Sequence, residues 1–455
     1  MKKIINFSLI GASLVFLFNP NVNIIDFLPD FVGYIILCVA LTNLADISET
    51  VAEAHSIFKK LILIDAAKLV AIMWVFGMSV VSERNSSLLL WSFVFGVLEL
   101  LFAIPAFIKL FSGIMELGYL HNNTSVLGAK KEGARKNYTD KIKGFTVFFV
   151  GFKAILSFLP ELSDLTSTAY SDNVGVMNMY QYIGLMRAMC FIPVLVIGIV
   201  WAVKCVKYFR RVSRDESFVK ELESIYVEKV APKSGRFVKR NIAVAFSVLL
   251  AAMLFSLDIR IENVNVLPDF ISALLLVAFF LIISKKTKVD VKLPLTVSFV
   301  YFAVSVWAYA SEMSFFNNFY YGAVYRSEDA MSSYVLMAVS ACVSTLVFVL
   351  TCLCALRCIN AVIEAHTGVI SVSDTIGETQ QNMNRAIKRE QRRYVFLCIA
   401  VSVVYAATDV CYALLFKDYK IMTVVSMLGG ALFVMAYVKL YLEVSEAVNS
   451  KYILE

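Results

Sequence analysis

The stretch "DFLPDF" at residues 26–31 returns as "NVLPDF" at residues 265–270, so proline stands beside aspartate twice, 239 positions apart. Proline lacks an N–H and fits the first turn of a helix, where that donor has no partner. An aspartate beside it faces the positive end of the helix dipole. Asp26 and Asn265, three residues before the prolines, have side chains suited to capping free N–H groups in an Asx turn. Each motif therefore predicts a helix start after a short apolar run, 4–19 in one case and 241–257 in the other. Sixteen or so residues rise about 24 Å as a helix, less than the roughly 30 Å of a bilayer core.

The flanks extend the match. "MKKIINFSLIGASLVFLFN" aligns with "VKRNIAVAFSVLLAAMLFS", which sets Lys2 and Lys3 on Lys239 and Arg240 and Leu17-Phe18 on Leu254-Phe255. Further on, Glu116 of "GIMELGYL" falls opposite Glu364 of "NAVIEAHT". The expected organisation is a duplication: a first six-helix repeat at 1–207, a cytoplasmic linker at 208–238 and a second six-helix repeat at 239–455. Two copies that start on the same side are related by a pseudo-twofold along the membrane normal. In the linker, "DESFVKELESIYVEKV" has the spacing of a short surface helix.

Composition sets the class. The chain has 455 residues, of which 59% are hydrophobic and 17% charged, with a mean hydropathy of +0.74. A soluble domain cannot hide that much apolar surface. The fold class expected is an all-α membrane protein of about twelve transmembrane helices. The spans read as 4–19, 27–45, 60–81, 87–112, 144–160 and 182–207, then 241–257, 266–284, 293–311, 332–357, 394–416 and 421–442. With both termini in the cytoplasm, the inner loops collect 29 Lys and Arg and the outer loops five. That is a strong positive-inside bias. It assigns the net charge of +7 to an anionic inner leaflet rather than to nucleic acid and favours a plasma-membrane location. The opening run resembles a signal peptide, but no small-x-small cleavage site follows and the same pattern recurs inside the chain.

Ionisable residues inside apolar spans are the candidates for function, because placing one in lipid costs about 2.5–3.5 kcal/mol on insertion scales. These are Asp30, Asp65, Lys68, Glu99, Lys153 and Arg187 in the first half, and Asp269 and Asp409 in the second. Sequential spans suggest a Glu99–Lys153 pair. Asp65 and Lys68, three apart, suggest a local pair. Arg187 and Asp409 lie near outer ends and can snorkel. Apart from Asp269, the second half holds only Asp409 at comparable depth, so most of any polar site is expected in the first. Pro29 and Pro268 start helices, Pro105 and Pro193 lie inside spans, and all four are helix-break or hinge candidates. Gly429-Gly430 suits close helix approach.

Other chemistries find little support. The nine cysteines lie in or beside apolar runs and read as small hydrophobes rather than a disulfide framework or metal site. His55, His121 and His366 share no spacing, and no Walker A, H-E-x-x-H or G-x-S-x-G motif occurs. No cofactor, metal or catalytic residue is expected, and an enzyme needing Asp30 and Asp269 as a carboxylate pair lacks a second catalytic group. The functional expectation is a transporter-like carrier of an unknown small molecule, ion or lipid, working by alternating access between two halves. The alternative is a non-transporting sensor, assembly factor or scaffold that acts through its basic cytoplasmic segments.

Overall fold

A computed structural model describes residues 4–22, 24–26, 28–77, 81–128, 137–160, 182–229, 233–261, 264–265, 267–284, 290–368, 378–414 and 420–452. It is 89% helical and divides into two compact units, one formed by residues 4–75 and 81–229, the other by residues 233–452.

The first unit runs α1 (Phe7–Ser13), a 3-10 turn (Leu14–Leu17), β1 (Asn21–Val22), β2 (Ile25–Asp26), α2 (Asp30–Ala45), α3 (Glu49–Gly77), α4 (Val81–Leu120), α5 (Thr124–Leu127), α6 (Tyr138–Phe158), α7 (Ile183–Arg214) and α8 (Glu216–Lys229). The second runs α9 (Lys233–Phe255), β3 (Arg260–Ile261), β4 (Val264–Asn265), α10 (Asp269–Ser284), α11 (Lys292–Asn318), α12 (Glu328–His366), α13 (Glu378–Leu414) and α14 (Lys420–Tyr452).

Among the described residues, seven helical stretches are long and apolar enough to cross a membrane, and Phe7–Leu17, Asp30–Ala45 and Asp269–Ser284 are shorter apolar helices. Much of their apolar surface is uncovered: Leu101 is 62% exposed, Leu346 65% and Phe396 72%. Exposed apolar area on that scale needs an apolar solvent, and in lipid the helix satisfies its own backbone. α3 and α6 fall outside the seven because their apolar stretches carry three or more charges each, Lys60, Asp65 and Lys68 in α3 and Lys141, Lys143 and Lys153 in α6. α4 has 40 residues and α12 has 39, or about 60 Å at 1.5 Å per residue. Residues 113–120 and 359–366, which follow the expected spans 87–112 and 332–357, thus continue these helices, and 378–393 begins α13.

The two helix starts form as their residues dictate. Pro29 immediately precedes α2, Asp30 is its first residue, and Val32 N–H donates to the Pro29 carbonyl at 3.1 Å. Pro268 precedes α10, Asp269 opens it, and Ile271 donates to Pro268 at 3.0 Å. Before each start lies a two-residue antiparallel hairpin, pairing Asn21 with Asp26 and Arg260 with Asn265. Packing runs alike in the two units. α1 packs on α2 and on α7, as α9 packs on α10 and α14. α4 packs on α6, and α6 on α7, as α12 packs on α13, and α13 on α14.

The first apolar run, expected as one span, is an α-helix only to Ser13 and tightens into a 3-10 turn. Pro105 and Pro193 lie inside α4 and α7, which continue on both sides of them. The linker helix α8 is amphipathic, as expected of a surface helix: it buries Phe218, Val219, Leu222 and Tyr226 and exposes Glu216, Lys220 and Glu221. Its Glu223 accepts from the Ile4 and Ile5 N–H groups at 2.6 and 3.3 Å, and Phe218 stacks on Phe7 of α1.

One close approach fixes α7. A Cβ on Gly198 would lie 2.2 Å from the Phe18 carbonyl oxygen. Gly198→Ala should therefore destabilise the first unit by about 1–3 kcal/mol through overpacking, seen as a lower unfolding midpoint in detergent. An unchanged midpoint would contradict the contact.

At the α7–α8 junction the Asp215 carboxylate accepts from Ser217 at 2.6 Å, Ser125 at 2.8 Å, Asn123 at 2.9 Å and the Phe218 N–H at 3.2 Å. These bonds, Ser217's foremost, hold its carboxyl at about 2, below the ordinary 3.8. A depressed carboxyl contributes stability above its unfolded value and loses it as pH falls through the folded one. The stability gap between wild type and Asp215→Asn should be full above pH 4 and close between 3.8 and about 2. A gap constant with pH would refute the assignment.

Candidate ion-handling sites

The hairpin and helix start of the first unit lie over a cluster of charge. Asp30, Asp65, Lys68, Glu99 and Lys153 are all between 2% and 7% exposed, and Asp26 is half-buried. Lys153, on α6, places its Nζ 2.6 Å from Asp30 Oδ2. Lys68, on α3, lies 2.6 Å from Asp26 and 3.5 Å from Glu99 of α4. One oxygen each of Asp26, Asp30 and Glu99 lies within 4.8 Å of the others, close enough to share a cation. The cations at hand are the two lysine ammonium groups. Such pairs repay desolvation only with good geometry and added hydrogen bonds. Asn19 supplies some, donating to Asp30 at 3.1 Å and to the Leu28 carbonyl at 3.2 Å, and accepting from Leu28 N–H at 3.1 Å.

Five predicted residues thus meet, but not in the predicted pairs. Glu99 goes with Lys68 and Lys153 with Asp30. Asp65 and Lys68 share a helix face without bonding, and neither Asp65 oxygen has a hydrogen-bond partner. Asp26 is not an Asx cap, because its carboxylate is taken by Lys68 and Asn19 caps Leu28 instead. Arg187 of α7 is half-buried and lines, with Lys153, Asn21, Ser157 and Phe191, a cavity of about 210 Å³.

The second unit has a polar cavity of about 50 Å³ lined by Asp258, Asn265, Asp269, Glu312, Thr345 and Asp409, among others. Asp258, Asp269, Ser344, Thr345 and Asp409 also line an adjoining pocket with Tyr301 and Tyr405. The expectation that Asp409 would be nearly alone at this depth is therefore corrected. Asp258 and Glu312 sit beyond the ends of apolar runs, and the fold brings them back to the hairpin. Asp409 accepts from Thr345 at 3.0 Å. Asn265 caps as expected, accepting from Leu267 N–H at 3.1 Å, and donates to Asp258 at 2.7 Å. The Arg260 side chain, on β3, lies outside the described residues.

The two sites correspond with the chemistry altered. Asn19 stands two residues before β1 and Asp258 two before β3. Asp26 ends β2 and Asn265 ends β4, so amide and carboxylate have changed places. On the penultimate helix, Thr146 accepts from Trp201 of α7 at 3.0 Å, and Ser402 bonds Tyr437 of α14 at 2.9 Å. Seven residues after these hydroxyls stand Lys153 and Asp409, opposite charges at one register. Asn19, Asp26, Asp258 and Glu312 were the residues missed as site members. The 239-residue spacing of the two Pro-Asp motifs was the signal that would have found Asp258 opposite Asn19.

Comparison with known protein families, with curated proteins and with solved structures found no match.

Removing the ammonium in Lys153→Met leaves Asp30 buried and uncompensated, which should cost about 3–5 kcal/mol. Pairing it with Asp30→Asn should restore most of that loss in a double-mutant cycle. Additive losses would show that the two residues do not depend on one another.

Proposed function

We propose that the chain is a multi-pass membrane carrier of a small molecule, ion or lipid, built as two parallel copies of one six-helix unit, with about twelve spans and both termini cytoplasmic. A plasma-membrane location and an anionic inner leaflet as lipid partner follow from the basic inner loops. The duplication is supported by the paired hairpins, the two Pro-Asp helix starts, the matching packing order and the Thr146/Lys153 and Ser402/Asp409 registers. The single observation that carries the carrier reading is the buried cluster of Asp26, Asp30, Asp65, Lys68, Glu99 and Lys153 among apolar helices. Intramembrane ionisable groups mark ion and substrate paths. Each unit holds its own polar site, one with two ammonium groups and one lined by carboxyls.

A second reading, a non-transporting sensor, assembly factor or scaffold, is favoured by a different observation. The first turns of α13 carry Arg385, Arg389, Arg392 and Arg393 exposed, a basic face suited to anionic lipid or an acidic partner.

The test is flux in sealed proteoliposomes under imposed pH, sodium and potassium gradients. Wild type should dissipate at least one gradient well above protein-free vesicles, and Glu99→Gln should reduce that rate about tenfold or more. Rates equal to protein-free vesicles under every gradient, with binding to anionic vesicles intact, would replace the carrier reading with the second one.

A further inference from the structure

Asp65 is the one carboxyl of the first-unit cluster that no ammonium group touches. Lys68 is committed to Asp26 and Glu99, and Lys153 to Asp30. Asp65 is 3% exposed, and both its oxygens are buried without a hydrogen-bond partner. The charges bearing on it come from every element around it: Asp26 from the hairpin, Asp30 from α2, Lys68 from α3 and Glu99 from α4. Tyr34 of α2 faces it as well, and Lys153 of α6 reaches the cluster through Asp30.

Four carboxyls against two ammonium groups leave two negative charges uncompensated if all are ionised. An unpaired buried ion costs several kcal/mol even after the surroundings relax. Such a group escapes the cost by taking up a cation, most simply a proton. A hard metal cation needs six or more oxygens around it, and among the described residues neither Asp65 oxygen has a hydrogen-bond partner. A proton needs only one oxygen.

We infer that Asp65 is a proton-binding site, and that the proton is the ion the first unit takes up. The step is the addition of H⁺ from water to one Asp65 carboxylate oxygen, giving the carboxylic acid and removing one negative charge from the cluster. This deepens the carrier reading and rests on it only for the use of the proton, not for its binding.

The experiment is infrared spectroscopy of the full chain in lipid at neutral pH, in H₂O and D₂O. A protonated carboxyl shows a C=O stretch separate from carboxylate bands, and it shifts on deuteration. The wild-type spectrum should contain this band, Asp65→Asn should lose it, and Asp65→Glu should keep it at a displaced frequency. Asp65→Asn should also fold, since it replaces a neutral acid by a neutral amide of the same shape. No carboxylic-acid band in wild type, the same band in Asp65→Asn, or loss of the band on adding sodium at constant pH would each overturn the inference. The outcome is separable from the flux test. A band without flux leaves the proton site and refutes the carrier; flux without the band does the reverse.

Discussion

The buried pair between Lys153 and Asp30 is the constraint on which the first unit depends. Asp30 is the first residue of a sixteen-residue helix, so its carboxylate is tied at once to the helix start, to Asn19 and to α6. The hairpin itself has only two residue pairs, Asn21 with Asp26 and Val22 with Ile25. Charge pairing in a low-dielectric interior supplies directional contacts that lipid-facing apolar residues cannot. Lys68 extends the same logic to α3 and α4 through Asp26 and Glu99. Ammonium groups from two helices thus connect the hairpin and α2 to the rest of the unit.

The second unit meets the same geometric problem with other groups. Asn265 does the capping and holds Asp258, and Thr345 holds Asp409. Aromatic contacts close the site, with Tyr405 stacked 4.9 Å from Phe433 and its hydroxyl donating to the Ser256 carbonyl at 3.2 Å. The first unit has a comparable stack of Phe149 on Trp201 at 4.6 Å. The two units thus share a hairpin and helix-start frame but line it with different polar residues.

Much of the frame was legible in the residues. Proline followed by aspartate specifies a helix start whatever surrounds it, so α2 and α10 begin where expected. Apolar runs located the long helices because lipid and protein interior both select for them. Charge pairing was not legible. Lys153 and Asp30 are 123 positions apart, and which carboxylate an ammonium meets is decided by helix rotation, which apolar periodicity leaves open when a helix is apolar nearly all round. Asn19 and Glu312 were missed because one closes an apolar run and the other sits just past one, where each looks like an ordinary loop residue. The linker helix α8 was legible as an amphipathic surface helix, but the partner of its apolar stripe was not, because the Glu223 contacts with Ile4 and Ile5 join residues far apart in the chain.

The account depends on the charged cluster lying within the hydrocarbon layer. The most direct test places a spin label at Leu101, an exposed residue two positions from Glu99 on α4, in a cysteine-free chain reconstituted in bilayers. Oxygen partitions into lipid and a charged nickel chelate stays in water. The predicted result is relaxation by oxygen and little or none by nickel. Strong relaxation by nickel at Leu101 would place this part of α4 in water and contradict the account.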